Sequence, residues 1–125
     1  MAKIMVVDDD CDAGESIARV LRLAGHVVKY APNGREALIE VLQNTPDAIL
    51  LDLMMPEMDG PSFLEVVRSY LRIQSLPVVI LTGLAESPMV ARAQTLKVNS
   101  VLVKGKASPE EVVRAIEEAL VRMPG

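Results

Sequence analysis

The chain has 125 residues, of which 50% are hydrophobic, 24% are charged and only three are aromatic, and its formal net charge is −4 at pH 7. This length suits one compact domain, so we expect residues 1–125 to form a single domain. The apolar runs are too short to span a bilayer, and the start lacks the apolar stretch of a signal peptide. The acidic balance, without a basic and aromatic surface, argues against direct binding of nucleic acid.

Cys11 is the only cysteine, which excludes an intramolecular disulfide and indicates a reducing, cytoplasmic location. We interpret it as a small residue near a helix start, because free cysteines usually behave in this way. We interpret His26, the only histidine, as a surface residue, since it follows a helix-ending glycine and no triad partner is found for it.

The first third of the chain alternates short apolar runs with longer amphipathic runs. A strand is predicted over Lys3–Val7, a helix over residues 12–24, and a second strand over Val27–Ala31. A second helix opens at Asn33 and is broken at Asn44, where further polar residues and a proline follow. These four elements predict two β/α units.

The middle of the chain begins with the continuous apolar run Ala48–Leu51, which is typical of a central strand covered on both faces. A loop rich in methionine and proline follows it. The next helix is predicted over residues 62–73, with Leu64, Val67 and Leu71 facing inward. This stretch predicts a third β/α unit.

The last part of the chain completes two more units. Strands are predicted over residues 78–81 and 101–103, with a helix over residues 89–96 between them. Ser108 and Glu111, with a proline between them, form the capping-box pattern that starts a C-terminal helix.

Five β/α units in strict alternation predict an α/β fold with a parallel sheet and helices on both faces. Right-handed crossovers leave few topologies, and for five strands the flavodoxin-like, doubly wound (βα)5 order 2-1-3-4-5 is the usual one. Ligands of such sheets bind beyond the carboxyl ends of the strands, where strands 1 and 3 meet. We therefore expect the functional site at that edge.

Polar side chains stand at the carboxyl ends of four predicted strands. These residues are Asp8 and Asp9 after the first strand, Asp52 after the third, Thr82 after the fourth and Lys104 after the fifth. Carboxylates in one crevice repel each other, which raises at least one pKa unless a partner is present. Mg²⁺ is such a partner, because it prefers a few carboxylates together with water and a phosphate oxygen. With an ammonium and a hydroxyl donor, this set suits phosphoryl transfer to Asp52 as the nucleophile, giving an aspartyl phosphate.

The stretches that carry these residues resemble the receiver domain of two-component response regulators, over essentially the whole chain. The matching segments are residues 6–10, 51–60, 81–83 and 103–104. The resemblance implies that residues 1–125 form a receiver domain. We expect no output domain within these residues, and the domain is either a stand-alone regulator or a part of a longer chain. In such a domain Asp52 accepts phosphate from a sensor histidine kinase or a histidine phosphotransfer protein.

The resemblance also implies a role for each site residue. Asp9, Asp52 and the backbone carbonyl of Met54 would bind Mg²⁺ directly, and Asp8 would act partly through water. Thr82 and Lys104 would contact the phosphoryl group. The domain would relay the signal to a downstream protein by a conformational change. We expect no membrane partner, and the resemblance is compatible with a homodimer. It would turn over no free substrate, so we expect a signalling module rather than an enzyme.

Two positions depart from the family pattern. The lysine is usually followed by a proline, often in cis, but here by Gly105, so we expect a more flexible loop and a less firmly aimed Lys104. Lys106 is a competing candidate for the lysine. An aromatic residue usually stands three positions before the lysine and rotates inward, a movement that Val101 cannot make. We expect weaker signalling through this surface, or a backbone shift in its place.

Two further residues bear on the lifetime of the phosphorylated state. Met54 and Leu84 lie two residues after Asp52 and Thr82, at positions that flank the phosphorylation pocket in the family. Both side chains are apolar and cannot orient an attacking water, so slow dephosphorylation is expected.

Three alternatives are weighed against this interpretation. A pseudo-receiver, which would act as a phosphorylation-independent interaction module, is favoured only by Gly105 and Val101. A metal-dependent phosphatase with an aspartate nucleophile typically has a second acid where Met54 stands. A flavodoxin-like binder of small ligands would have a phosphate-binding loop after its first strand, and no such loop is found here.

Overall fold

The computed structural model describes residues 2–83 and 86–121, in which strands and helices alternate. The strands are β1 (Lys3–Val7), β2 (Val27–Ala31), β3 (Ala48–Leu51), β4 (Val78–Thr82) and β5 (Ser100–Val103). The helices are α1 (Cys11–Leu23), α2 (Gly34–Gln43), α3 (Gly60–Ser69), α4 (Pro88–Gln94) and α5 (Pro109–Val121). Within the described parts of the chain, none of these helices is long and apolar enough to cross a membrane.

The five strands run parallel in one sheet, in the order β2-β1-β3-β4-β5. This order confirms the predicted flavodoxin-like topology. Residues of α1 and α5 pack in the core on one face of the sheet, and residues of α2, α3 and α4 pack on the other. The two core layers explain why the chain alternates apolar runs with amphipathic ones.

The central strand β3 places the site. It lies between β1 and β4, and all of its residues are buried, because helices cover both faces of the sheet. Its last residue, Leu51, aligns with Val7 of β1 and with Ile80 of β4. The residues that follow β1 and β3 are therefore neighbours at the carboxyl edge of the sheet.

The helix starts follow from polar caps. At four of them a side-chain oxygen accepts a hydrogen bond from the backbone N–H three residues further on, and these caps are Asp10, Asn33, Asp59 and Ser87. The predicted capping box is present at α5, where Ser108 Oγ accepts from the Glu111 N–H at 3.1 Å and Glu111 Oε1 accepts from the Ser108 N–H at 2.9 Å. Asp10 and Asp59 fix the starts of the two helices that follow β1 and β3.

Helix α3 is shorter than predicted, ending at residue 69 rather than 73. Tyr70 adopts an extended backbone and the chain then turns, so the prediction that Leu71 faces inward is wrong: Leu71 is 85% exposed, and Ile73 is buried. The guanidinium of Arg68 holds the turn, because it donates to the carbonyl oxygen of Leu76 at 2.7 Å. A hydrophobic pattern does not reveal such a contact.

The interpretation of His26 as a surface residue is wrong as well. Its side chain is only 8% exposed, its Nδ1 accepts a hydrogen bond from the Ala2 N–H at 3.3 Å, and its Nε2 lies 3.2 Å from Glu117 Oε2. Glu117 belongs to α5, which lies far away in the sequence, and the residue as a whole is half-buried. His26 precedes β2 and so lies at the edge of the sheet opposite to Asp8 and Asp52.

Gly60 packs directly against the backbone that follows β3. A Cβ atom there would lie 2.6 Å from the Leu53 Cα and 2.7 Å from the Asp52 carbonyl oxygen. Backbone atoms cannot move aside without shifting the rest of the chain around them. We therefore expect Gly60→Ala to lower the free energy of unfolding by about 1–3 kcal/mol, as overpacking typically does. Unfolding in urea measures the change.

The matched control for this substitution is Gly83→Ala, since a Cβ at Gly83 would meet no atom within 4 Å. We expect it to change stability by less than about 0.5 kcal/mol. An equal loss in both variants would contradict the steric explanation.

Candidate functional site

Asp8 and Asp9 directly follow β1. The N–H of Asp8 donates to the Ala31 carbonyl of β2 at 3.2 Å, which extends the pairing of the strands to this residue. Asp8 is 4% exposed, and its Oδ1 accepts a hydrogen bond from the Asp10 N–H at 2.9 Å. Asp9, in contrast, is exposed to solvent. One carboxylate is thus held inside the protein and the next lies at its surface.

Asp52 follows β3 in the same manner. Its N–H donates to the Val7 carbonyl at 2.9 Å, so the ladder between β1 and β3 continues past the end of β3. The side chain is 5% exposed, and its Oδ1 lies 3.5 Å from the Met54 nitrogen. Since β1 and β3 are neighbours, their ladder brings Asp52 beside Asp8.

The three aspartates form one acidic cluster. Carboxylate oxygens of Asp8, Asp9 and Asp52 lie within 4.8 Å of one another. Donors of this kind, all of them oxygen, suit a hard divalent cation, and Mg²⁺ usually binds one or two protein carboxylates and completes its shell with water. The donor chemistry of the cluster therefore fits the predicted Mg²⁺.

Lys104 brings a positive charge to this cluster. Its Nζ lies 2.7 Å from Asp8 Oδ2 and 3.5 Å from Asp52 Oδ2. Burial lowers the pKa of Lys104, but the hydrogen bond to Asp8 and the charges of Asp52 and Asp8 outweigh it, so its pKa is raised above the usual value. Lys104 is therefore charged at neutral pH. The competing candidate, Lys106, is exposed.

The surroundings of Asp52 raise its pKa from 3.8 to about 6. Burial is the largest cause and the charge of Asp8 adds to it, while Lys104 and the Met54 N–H oppose them. At neutral pH Asp52 is thus ionised, at a cost that a bound cation would relieve.

Thr82 ends β4 and is 1% exposed. It aligns with Val103, the last residue of β5, and its carbonyl oxygen accepts a hydrogen bond from the Lys104 N–H at 2.8 Å. The ends of β4 and β5 are thereby joined next to the acidic cluster. All five polar residues predicted from the strand ends lie at this edge of the sheet.

The loop after Lys104 follows a path that proline cannot take. Gly105 has φ +83°, in the left-handed region, whereas the proline ring holds φ near −65°. Lys104 nevertheless makes both of its carboxylate contacts. With Gly105 the loop adopts a conformation that proline could not adopt, and the lysine still reaches the cluster.

Val101 is half-buried and packs against the core layer that contains α4. Neither β5 nor α4 contains an aromatic residue. No large ring on these two elements can therefore rotate toward Thr82. Of the two apolar residues predicted to flank the pocket, Met54 is 49% exposed, and Leu84 lies outside the described residues.

The sequence did not identify Tyr30 as part of this region. Its hydroxyl donates to the carbonyl oxygen of Asp8 at 2.6 Å. Within the sequence Tyr30 is only an aromatic residue in a predicted strand, where aromatic residues are common. The register of β2, which aligns Tyr30 with Val6, places it beside the end of β1.

Comparisons with known proteins agree with this geometry. The family model of the response regulator receiver domain matches residues 4–117, and the chain belongs to this family. It is similar to the transcriptional regulatory protein PrrA of Mycobacterium tuberculosis, with 38% identity over 98% of this chain and 51% of that protein. The chain spans about half, or less, of the length of the first curated relatives it matches.

Solved structures are similar as well. A putative response regulator from Chloroflexus aurantiacus superposes with a TM-score of 0.90 at 31% identity, covering 97% of this chain and 98% of that one. The chemotaxis protein CheY4 of Vibrio cholerae superposes with a TM-score of 0.87 at 28% identity, covering 95% and 98%. Receiver domains are signalling domains that bind Mg²⁺ in an acidic pocket and interact with histidine kinases and downstream targets. In this chain Asp8, Asp9 and Asp52 form an acidic cluster.

In metal-free protein, Asp52→Asn should stabilise the fold at neutral pH. The pKa of Asp52 is about 6 in the folded protein against an ordinary value of 3.8, so ionisation of this carboxyl lowers the free energy of unfolding. This loss of stability is absent below pH 3.8, grows between the two pKa values and is complete above pH 6. We expect the substitution to raise the free energy of unfolding by about 1–3 kcal/mol near pH ~7.5 and by much less near pH ~4. Urea unfolding in the presence of a chelator measures both.

The matched control is Glu118→Gln, which removes a negative charge from an exposed position on α5. We expect it to change stability little at either pH. A gain from Asp52→Asn that is equally large at both pH values would contradict the assignment of the cost to ionisation.

Proposed function

We propose that this receiver domain accepts a phosphoryl group on Asp52 from the phosphohistidine of a sensor histidine kinase or a histidine phosphotransfer protein, in a Mg²⁺-dependent reaction. The observation that carries the proposal is the convergence of three carboxylates and one ammonium: the carboxylate oxygens lie within 4.8 Å of one another, and Lys104 Nζ lies 2.7 Å and 3.5 Å from two of the aspartates. Membership of the receiver family supports the class of donor.

Asp52 is the nucleophile in this proposal. One of its carboxylate oxygens attacks the phosphorus, the bond between phosphorus and the imidazole nitrogen breaks, and that nitrogen keeps the electron pair. The donor leaves as neutral imidazole when its other ring nitrogen carries a proton. The product on this chain is an acyl phosphate at Asp52.

The other residues neutralise and position charge. Mg²⁺, held by Asp9, Asp52 and the Met54 backbone carbonyl, with Asp8 acting partly through water, would neutralise carboxylate and phosphoryl oxygens. The Lys104 ammonium is within reach of an oxygen on Asp52, and it would pair with the phosphoryl group once that group is attached. The Thr82 hydroxyl would donate a hydrogen bond to the same group.

Phosphorylation is proposed to act on α4, β5 and α5 through the backbone. Because Val101 stands where the family has an aromatic residue, no ring on β5 or on the described helix α4 can carry the change. The hydrogen bond from the Lys104 N–H to the Thr82 carbonyl, 2.8 Å long, joins the end of β4 to the loop before α5. A movement of Thr82 toward the phosphoryl group would therefore pull on this loop directly.

The output is proposed to be an interaction with a downstream protein, in the cytoplasm, by a single receiver domain that turns over no free substrate. The relatives include regulators at least about twice the length of the matched segment.

A pseudo-receiver is the second candidate, and two observations favour it. Gly105 has φ +83° where the family has proline, and Val101 stands at the position of the switching aromatic residue. In that case the domain would bind its partner without phosphorylation. The two candidates differ in whether Asp52 can be modified at all.

Acetyl phosphate with Mg²⁺ should therefore add one phosphoryl group to the protein, because Asp52 is ionised at neutral pH and has a cationic neighbour. Intact-mass spectrometry measures the adduct. We expect none with Asp52→Asn or with a chelator present, and an unchanged yield with Asp47→Asn, which alters an exposed aspartate elsewhere. Absence of an Asp52-dependent adduct in the wild type would favour the pseudo-receiver.

Met54 is expected to lengthen the life of the acyl phosphate. Its apolar side chain, 49% exposed, cannot hold an attacking water. Met54→Asn should speed the loss of phosphate about two- to tenfold, which corresponds to one added hydrogen bond to that water. Met54→Leu, which stays apolar, should leave the rate unchanged. The rate is measured as the release of inorganic phosphate from the purified, phosphorylated protein. Equal rates for the wild type and Met54→Asn would be evidence against this role.

A further inference from the structure

Tyr30 contacts the backbone of the acidic cluster from the neighbouring strand. Its hydroxyl donates to the Asp8 carbonyl oxygen at 2.6 Å, while the carbonyl of Ala31 accepts from the Asp8 N–H at 3.2 Å. The last two residues of β2 therefore hold both backbone polar groups of Asp8. The same hydroxyl lies 3.6 Å from Cys11 Sγ, a longer contact than the one to Asp8.

Gly14 makes room for the ring that carries this hydroxyl. The glycine is buried inside α1, and a Cβ atom there would overlap with Cε1 of Tyr30 and lie 2.8 Å from its Cδ1. Glycine inside a helix is unfavourable relative to alanine. The Tyr30 ring occupies the space that a larger side chain at position 14 would need. The glycine therefore lowers the stability of the helix locally and leaves room for the ring in one defined position.

The consequence for the site passes through one peptide bond. The Asp8 carbonyl belongs to the planar peptide that leads to Asp9, so a hydrogen bond to this oxygen fixes the direction in which Asp9 leaves the strand. Asp8 and Asp52 are buried, but Asp9 is exposed. Its position relative to the other two carboxylates therefore depends on the backbone that precedes it.

We propose that Tyr30 is a positioning residue of the Mg²⁺ site: its hydroxyl, seated in the space left by Gly14, holds the Asp8–Asp9 peptide so that the carboxylates of Asp8, Asp9 and Asp52 are arranged for the cation before it binds. This inference rests on the proposed function insofar as that function requires Mg²⁺ at this cluster. Groups that orient metal ligands from outside commonly alter metal affinity when they are removed.

The test uses Tyr30→Phe, which removes the hydroxyl and keeps the ring. We expect the dissociation constant for Mg²⁺, from NMR titration of backbone amides with MgCl₂, to rise about three- to tenfold, the range that the loss of one hydrogen bond corresponds to. In the metal-free protein the amide resonances of Asp9 and Asp10 should shift. Tyr70→Phe is the matched control, because Tyr70 is the only other tyrosine and follows α3; it should leave the dissociation constant unchanged.

A purely structural role would give a different result. If Tyr30→Phe lowers the melting temperature while the Mg²⁺ dissociation constant stays within about twofold of the wild type, the proposal is overturned. A raised dissociation constant together with shifted Asp9 and Asp10 amides supports it.

Gly14→Ala provides a second route to the same contact. The added Cβ should displace the Tyr30 ring and weaken Mg²⁺ binding although the hydroxyl is still present. If both substitutions act through one hydrogen bond, the double variant should bind Mg²⁺ no more weakly than the weaker single variant. Fully additive losses would overturn the shared route from Gly14 through Tyr30.

The failure of this inference can be told from the failure of the proposed function. A wild-type protein that binds Mg²⁺ and is phosphorylated on Asp52, with Tyr30→Phe unchanged in both respects, overturns the role of Tyr30 alone. A wild-type protein that binds no Mg²⁺ overturns the metal site and the role of Tyr30 together. A protein that binds Mg²⁺ in a Tyr30-dependent manner but forms no adduct overturns the phosphoacceptor function and leaves the positioning role supported.

Discussion

The mutual repulsion of three carboxylates, balanced in part by a single ammonium, is the interaction on which the carboxyl edge of the sheet depends. Lys104 pairs with Asp8 at 2.7 Å and reaches Asp52 less closely at 3.5 Å. One positive charge cannot neutralise three negative ones. Burial is the largest cause of the raised pKa of Asp52, and the charge of Asp8 adds to it. The metal-free site is therefore short of positive charge, which favours both a divalent cation and the loss of charge at Asp52.

The fold keeps these charges together against their repulsion. Asp8 and Asp52 each continue a strand ladder through a backbone N–H, so the main chain of both residues is held by neighbouring strands. The buried centre of the sheet lies directly beneath them, because β3 is covered on both faces. A site built on such a platform can store electrostatic strain without local unfolding, since moving the backbones of Asp8 and Asp52 apart would break β-sheet hydrogen bonds.

Much of this arrangement could be predicted from the sequence, because each strand end is marked by an abrupt change from apolar to polar residues. That change locates Asp8, Asp52 and Lys104, and the regular alternation of elements gives the topology that brings them together. Contacts between distant segments could not be predicted in this way. The turn held by Arg68 ends α3 early, and Glu117 of α5 contacts the side chain of His26. The role of Tyr30 could not be predicted for the same reason, since its partner is the backbone carbonyl of Asp8, which follows another strand.

The two tyrosines give this protein an optical property that follows from their positions. The chain contains no tryptophan, so its near-ultraviolet fluorescence comes from Tyr30 and Tyr70 alone. Tyr30 donates its hydroxyl to the backbone of Asp8, whereas Tyr70 lies at the end of α3 remote from the strand ends. Removal of the Tyr70 hydroxyl leaves one intrinsic phenol emitter, in contact with the acidic cluster. Because this hydroxyl bonds the backbone of Asp8, we expect the emission of the unlabelled variant to change when a cation occupies the cluster.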